Sequence, residues 1–328
     1  MLFKTFKHLL IGDQMKILVT GGAGFIGSHL VERLVKESHH VTVLDNLSSG
    51  KEEFIEEHLD RENFEFHRTD LLHSKIDGYF RDVDRVFHLA ANSGVKIGAE
   101  DTKIDLEQNI LVTYNVLEAM RRNGVEDIVF MSTSTVYGEA DIPTPENHSP
   151  MEPISLYGAT KLACESLISA YCHTFGMNAV IFRLANVIGG RSTHGVVHDF
   201  VNKLKENPDE LEILGNGLQK KSYVYIDDCI DAVLLALEHA RKPLDIFNIG
   251  SCDQITVKEI AEIVSEEMGV RPNFAFTGGK RGWNGDVTSM LLDISKMRKL
   301  GWKPRYGSGE AVRKAVRDLL GVFKIQRS

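Results

Sequence analysis

Five β-rich residues, Lys16–Thr20 (KILVT), run straight into Gly21-Gly22-Ala23-Gly24-Phe25-Ile26-Gly27, and a helical stretch follows from about Phe25 to Glu37. Glycine at 21, 24 and 27 permits a tight turn and leaves no Cβ between backbone amides and a pyrophosphate. The partial positive charge of the helix N-terminus then faces the phosphates. The spacing is GxxGxxG rather than the GxGxxG of the longer dinucleotide fingerprint. A strand ending in such a turn belongs to a parallel sheet with helical crossovers.

The rest of the chain keeps that rhythm. His40–Leu44, Phe64–His67, Arg85–Ala90, Asp127–Ser132 and Asn178–Arg183 read as strands. Ile104–Arg122, with Leu106, Ile110, Leu117 and Met120 at helical spacing, and Ser155–Thr174 read as helices between them. This pattern predicts right-handed βαβ crossovers and an α/β, doubly wound parallel sheet of Rossmann type. After about residue 186 the rhythm loosens. Asp227–Arg241 and Thr256–Met268 still look helical and Asp245–Ile249 strand-like, with Gly-rich connectors between. The expected organisation is an N-terminal extension over 1–14 and an NAD-binding domain over 15–185. Residues 186–328 form mainly a smaller substrate-binding lobe, with some segments returning to the first domain.

Asp45 ends the second strand, 18 residues after Gly27. A carboxylate there accepts hydrogen bonds from both ribose hydroxyls of NAD and repels the 2′-phosphate of NADP, and no Arg or Lys follows until Lys51. NAD is the expected cofactor. The formal charge of −8 and the lack of a basic tract argue against nucleic acid as a partner. No apolar run reaches the roughly 20 residues that span a bilayer, so no membrane partner is expected. Cys164, Cys172, Cys229 and Cys252 form no CxxC pair and no metal-ligand spacing, and read as small buried hydrophobes in a reducing, cytoplasmic setting.

Tyr157-Gly158-Ala159-Thr160-Lys161 places a phenol and an ammonium four residues apart, on one face of a helix. A phenol with a reference pKa of about 10 acts as a base near neutrality only if a neighbouring cation stabilises its phenolate. Lys161, with the positive nicotinamide, supplies that cation. The hydroxyl run Ser132-Thr133-Ser134-Thr135 lies at the end of a central strand, where ligands bind in open sheets. One of these hydroxyls is placed to bond a substrate oxygen and share a proton with the tyrosine.

Together GGAGFIGSHL, DNLSSG (Asp45–Gly50), Asp70-Leu71, HLAA (His88–Ala91), STSTVYG, YGATK and RLANVIG resemble the extended short-chain dehydrogenase/reductase family. Within it they are most similar to nucleotide-sugar epimerases of the UDP-glucose 4-epimerase type, in matching order from about Lys16 to Pro304. The resemblance implies epimerisation through a transient 4-keto sugar, with Thr133, Tyr157 and Lys161 catalytic and NAD kept as a prosthetic group. It further implies cofactor contacts from Gly21, Gly24, Phe25, Ile26, Gly27, Asp45, Asn46, Ser48, Ser49, Gly50, Asp70, Leu71, Leu89, Ala90, Ala91 and Asn109, besides Tyr157 and Lys161. For the UDP-sugar it implies Asn186, Lys221, Arg281 and Asp286, with Lys96 near the hexose and Thr133 and Tyr157 at its reacting carbon. Lys221 stands where the family has an arginine, a point charge in place of a bidentate fork. Arg281 lies five residues before Asp286, where the family spacing is three. Relatives pair the helices at 104–122 and 155–174, so a homodimer is expected.

Ser134 and Thr135 stand where 4,6-dehydratases of this fold carry an acidic residue, which argues against that reaction. A UDP-glucuronate epimerase or decarboxylase, or a 4-reductase, is the alternative within the family; a non-catalytic NAD-binding sensor is the alternative outside it. Residues 1–14 match nothing in the family. Phe3, Phe6, Leu9 and Leu10 fall at helical spacing, but a leader from an upstream start, ahead of Met15, is the expectation.

Overall fold

The computed structural model describes residues 14–92 and 94–325, apart from the side chains of 95–97 and 322–325. The expected features of the N-terminal extension therefore lie outside the described residues, except for Gln14. Seven strands form one parallel sheet: β1 (Lys16–Thr20), β2 (His40–Asp45), β3 (Phe64–Arg68), β4 (Arg85–His88), β5 (Asp127–Thr133), β6 (Asn178–Leu184) and β7 (Leu244–Ile249). Their order is β7-β6-β5-β4-β1-β2-β3. The chain runs from β1 outward to β3 and then crosses to β4, so the connections leave in opposite directions between β1 and β4. In open parallel sheets ligands settle at that switch point, beside the C-terminal strand ends.

The sheet is apolar on both faces because helices cover both, so its strands read as continuous runs rather than alternations. In β1, Ile17, Leu18 and Val19 are all buried. Helix α1 (Phe25–Lys36) buries Leu30, Val31, Leu34 and Val35, each contributing about 1.5–3 kcal/mol. Helices α2 (Val112–Asn123) and α3 (Leu156–Phe175) join Leu18, Val86, Ile128 and Phe130 in one core through Val116, Leu117, Met120, Cys164 and Ile168. Helix α2 stops at Gly124, whose left-handed φ of 70° lets Val125 N–H cap the Met120 carbonyl.

The helix expected over 104–122 is interrupted. An α-turn at Thr102–Asp105 passes into a π-helical segment, Leu106–Leu111, before α2 begins. The wider turn shifts the phase of the face, leaving Leu106 exposed and turning Asn109 inward. Cysteine burial also needs correction: Cys164, Cys172 and Cys229 are buried, but Cys252 is exposed, in the loop after β7.

Cα packing divides the chain into two units. The first comprises residues up to Val136, Leu156–Arg183 and Ile230–Phe247; the second comprises Tyr137–Ser155, Leu184–Cys229 and Asn248 onward. The second unit holds small sheets, with Lys220–Lys221 between Ile255–Thr256 and Ser289–Met290, and Asn186–Ile188 parallel to Tyr223–Tyr225. Its helix α4 (Val257–Met268) starts with a capping box: Thr256 Oγ1 accepts from Glu259 N–H, and Glu259 accepts from Thr256 N–H. Among the described residues no helix is long and apolar enough to cross a membrane.

Candidate active site

In the first unit the sequence-selected residues meet along one sheet edge, because each follows the C-terminal end of a parallel strand. Gly21, Gly24, Phe25, Ile26 and Gly27 form the turn from β1 into α1. The helical ladder opens with Ser28 N–H donating to the Gly24 carbonyl, so the N–H groups of Phe25, Ile26 and Gly27 have no partner one turn back. Gly21 has φ +71°, and a Cβ there would lie 2.7 Å from the Ala90 nitrogen. This turn thus packs against the Leu89-Ala90-Ala91 segment that follows β4. Leu89 N–H bonds the Thr20 carbonyl, and Ala90 N–H bonds the Thr20 hydroxyl.

Asp45 is buried at the end of β2. Its Oδ2 accepts from Ala23 N–H at 3.0 Å and its Oδ1 from Leu47 N–H at 2.8 Å. Burial pushes its carboxyl up, and the two N–H bonds pull it back. A carboxylate oxygen has two acceptor sites, so each keeps one for a ribose hydroxyl. Asn46 caps the following loop through Ser48 N–H, and Ser49 and Gly50 complete it, with Gly50 packed on Ala23. Asp70, after β3, accepts from Leu72 N–H and pairs with His73, and Leu71 next to it is buried. Unspoken-for N–H donors at a helix start, glycines without Cβ and a two-pronged carboxylate at the next strand end suit a dinucleotide.

Thr133 ends β5, and its hydroxyl lies close enough to the Tyr157 phenol to ease the phenol's ionisation. It also receives Thr135 N–H at 3.2 Å. Ser132, its neighbour, points away and donates to Glu165 at 2.5 Å. Tyr157 and Lys161 occupy the first turns of α3. The phenol is raised to about 12, chiefly by burial, with the Thr133 hydroxyl opposing this and the Asp105 carboxylate adding to it. Burial also lowers the Lys161 ammonium to about 8, while Cys164 and Glu165 work to raise it. The ammonium nitrogen lies 4.2 Å from the centre of the Phe130 ring.

Two neighbouring groups escaped the sequence reading. Asp105 is fully buried; its Oδ1 accepts from Asn92 at 2.8 Å and from Asn109 at 3.3 Å. Asn109 also donates to Thr160 Oγ1 at 2.9 Å, tying the π-helical segment to the turn carrying Tyr157. His88 sits between the hydroxyls of Thr20 and Thr113, and burial with the nearby Lys161 lowers its pKa to about 3. It is therefore a neutral strut and not a proton carrier near neutrality. An unbroken 3.6-residue reading could not place Asn109, though a lone Asp and Asn inside an apolar stripe were available as a signal.

The second unit gathers the residues expected at the diphosphate. Lys221 donates to Asp286 at 2.5 Å and lies over the Trp283 ring. Arg281 donates to the Asp286 carbonyl and pairs with Glu139 at 2.7 Å. The longer spacing between Arg281 and Asp286 is absorbed by a loop that folds back, with Gly282 N–H on Asp286 Oδ2. Asn186 donates from its amide to the Ser222 carbonyl, beside Lys221. Lys96 lies in the short helix Val95–Glu100, and its side chain is outside the described residues.

Residues 17–250 match the model of the NAD-dependent epimerase/dehydratase family. The UDP-glucose 4-epimerase of Mycolicibacterium smegmatis is 32% identical over 310 residues, covering 92% of this chain and 97% of that protein. A crystal structure of a UDP-galactose 4-epimerase superposes with a TM-score of 0.85 at 43% identity, covering 94% of this chain and 99% of the other. The Bacillus cereus UDP-glucuronic acid 4-epimerase, solved with UDP-glucuronic acid and NAD, superposes at 0.86 with 31% identity over 94% of this chain and all of that one.

Proposed function

The chain belongs to the NAD-dependent epimerase/dehydratase family, its cofactor is NAD, and on that premise we propose that it is a nucleotide-sugar 4-epimerase of the UDP-glucose/UDP-galactose type. The observation that carries this reading is the Thr133 hydroxyl grouped with the Tyr157 phenol beside the C-terminal end of β5, with Lys161 one helical turn beyond the phenol. The bound dinucleotide supplies a hydride acceptor and a positive ring. Tyr157 removes the proton of the sugar 4-hydroxyl as C4 gives up hydride. Thr133 holds that oxygen in line with the phenol, and Lys161 stabilises the phenolate. Returning hydride and proton to the opposite face of the 4-ketose inverts the carbon and restores the starting redox state.

Burial and the neighbouring protein groups together leave the phenol at about 12, too weakly acidic to lose its proton near neutrality without the cofactor's charge. Positive charge on the cofactor ring, added to that of Lys161, is what would make the phenolate accessible. Ser134 and Thr135, beside Thr133, offer no carboxylate for eliminating water, which supports epimerisation over dehydration. Lys221 and Arg281 supply cations for the diphosphate, each already shared with a carboxylate.

The test is a substrate panel of UDP-glucose, UDP-galactose, UDP-glucuronic acid and UDP-N-acetylglucosamine, with products identified after turnover by the NAD-loaded protein. Interconversion of the first two without added oxidant is expected. Exclusive turnover of UDP-glucuronic acid would move the assignment to that sugar. Bound NAD with no turnover of any sugar would make the protein a sensor.

A homodimer is part of the same proposal. Leu106, Leu111 and Tyr114 are exposed along the helical run before and within α2, and Phe175, at the end of α3, is 52% exposed. These are large apolar groups on the two helices expected to pair with those of a second copy. Light scattering at micromolar concentration is expected to give twice the chain mass. Leu111→Glu combined with Tyr114→Glu is expected to give the monomer with NAD still bound. A wild-type monomer would remove this claim.

A further inference from the structure

Ser132, Glu165 and Arg183 form a buried polar cluster joining β5, α3 and β6. Glu165 is 5% exposed and Arg183 2%. Glu165 Oε1 accepts from Ser132 Oγ at 2.5 Å and from Arg183 Nε at 3.1 Å, and its Oε2 accepts from Arg183 Nη2 at 2.6 Å. A buried ion pair is a poor way to gain stability, since apolar side chains of equal volume do as well or better. Its position supplies a reason. Tyr157, Lys161 and Glu165 follow one another at four-residue steps on one helix face. Ser132, the third member, immediately precedes Thr133.

We propose that Glu165 is a positioning residue for the proton-transfer pair: clamped by Arg183 and Ser132, it fixes α3 against the end of β5 and presents its negative charge to Lys161. The groups around Lys161 leave this task to Glu165. Cys164, on the same helix, has its thiol raised by burial and is uncharged near neutrality. His88, on β4, is neutral there too. Tyr157 carries its charge only when the base is formed, Asp105 acts on Tyr157 from the π-helical side, and Phe130 offers a ring face. Arg183, on β6, bonds the same Glu165 carboxylate that favours the ammonium, so the two cations share one negative charge.

This inference rests on the proposed role of Lys161, but Lys161 can be followed without turnover. The experiment titrates the NAD-loaded full-length protein carrying ¹³C-labelled lysine, with the Lys161 ε-methylene signal identified by its loss in Lys161→Arg. Glu165→Gln removes the negative charge and leaves Arg183 unopposed, so the Lys161 titration should move to lower pH by about one pH unit. Arg183→Met leaves the carboxylate unopposed, so the titration should move to higher pH. Opposite displacements are the signature; a merely structural role moves both variants the same way or neither. Should a single variant not fold, Glu165→Gln/Arg183→Met removes both charges, and its Lys161 should titrate below the wild type. Displacements of one sign, or a double variant that titrates with the wild type, would overturn the proposal. If the NMR titrations diverge as expected while the alkaline limbs of the turnover profiles stay fixed, the fault lies with the catalytic role given to Lys161 and not with Glu165.

Discussion

Tyr157→Phe is expected to lower turnover by about 10²–10⁴-fold, the span of a lost general base, with NAD still bound at wild-type stoichiometry. Phenylalanine fills the same volume on α3 and leaves Lys161, Asp45 and the glycine turn untouched. Only the proton acceptor goes, so the loss should appear in kcat while KM changes little. Thr133→Val removes the hydroxyl beside the phenol, proposed to bond the substrate oxygen, and not the acceptor itself. It should cost about tenfold, near the net value of one hydrogen bond. Steady-state kinetics on the interconverting sugar pair, with NAD released by acid and quantified, distinguishes the two. Near-normal turnover by the phenylalanine variant would remove Tyr157 from the mechanism.

Much of this site was legible because its chemistry is local in sequence. The glycine turn, the carboxylate of Asp45 and the Tyr157–Lys161 pair each depend on short fixed spacings, and a strand or helix turns such spacing directly into geometry. The choice of Thr133 among four consecutive hydroxyls needed the family pattern. In the structure Ser132 is turned to Glu165 while Thr133 meets the phenol. What escaped was tertiary. Glu165 and Arg183 meet only because α3 packs on the sheet, although a charge inside the apolar strand VIFRLA already demanded a partner. The π-helical segment escaped because one wide turn looks, in sequence, like slight drift in a regular helix. The register of Arg281 relative to Asp286 was obscured by loop length, which says little about where a loop folds back.

Gly27 and Gly24 look equivalent in the sequence, and replacing each with alanine should separate them. A Cβ on Gly27 would lie 2.1 Å from the Gly21 carbonyl oxygen and 2.9 Å from Gly22 Cα. Both are backbone atoms of the turn, so no side chain can swing aside, and α1 must be pushed away from β1. Gly27→Ala should therefore cost about 1–3 kcal/mol of stability and lose NAD as well. A Cβ on Gly24 meets only the Gly21 oxygen, at 3.2 Å, and its φ of −77° suits alanine. The fold alone requires glycine there only to the extent of the roughly 1 kcal/mol by which alanine is the poorer helix N-cap. If that space is kept for the pyrophosphate, Gly24→Ala in the absence of NAD should lose no more than about 1 kcal/mol, less than Gly27→Ala, yet retain at least about tenfold less cofactor, the effect of losing roughly 1.4 kcal/mol of binding. Thermal unfolding of the stripped proteins, set beside their NAD content after gel filtration, reads both quantities. Full NAD content in the Gly24 variant would show that the cofactor does not approach the backbone at this turn, and the cradle would have to be placed elsewhere along the strand ends.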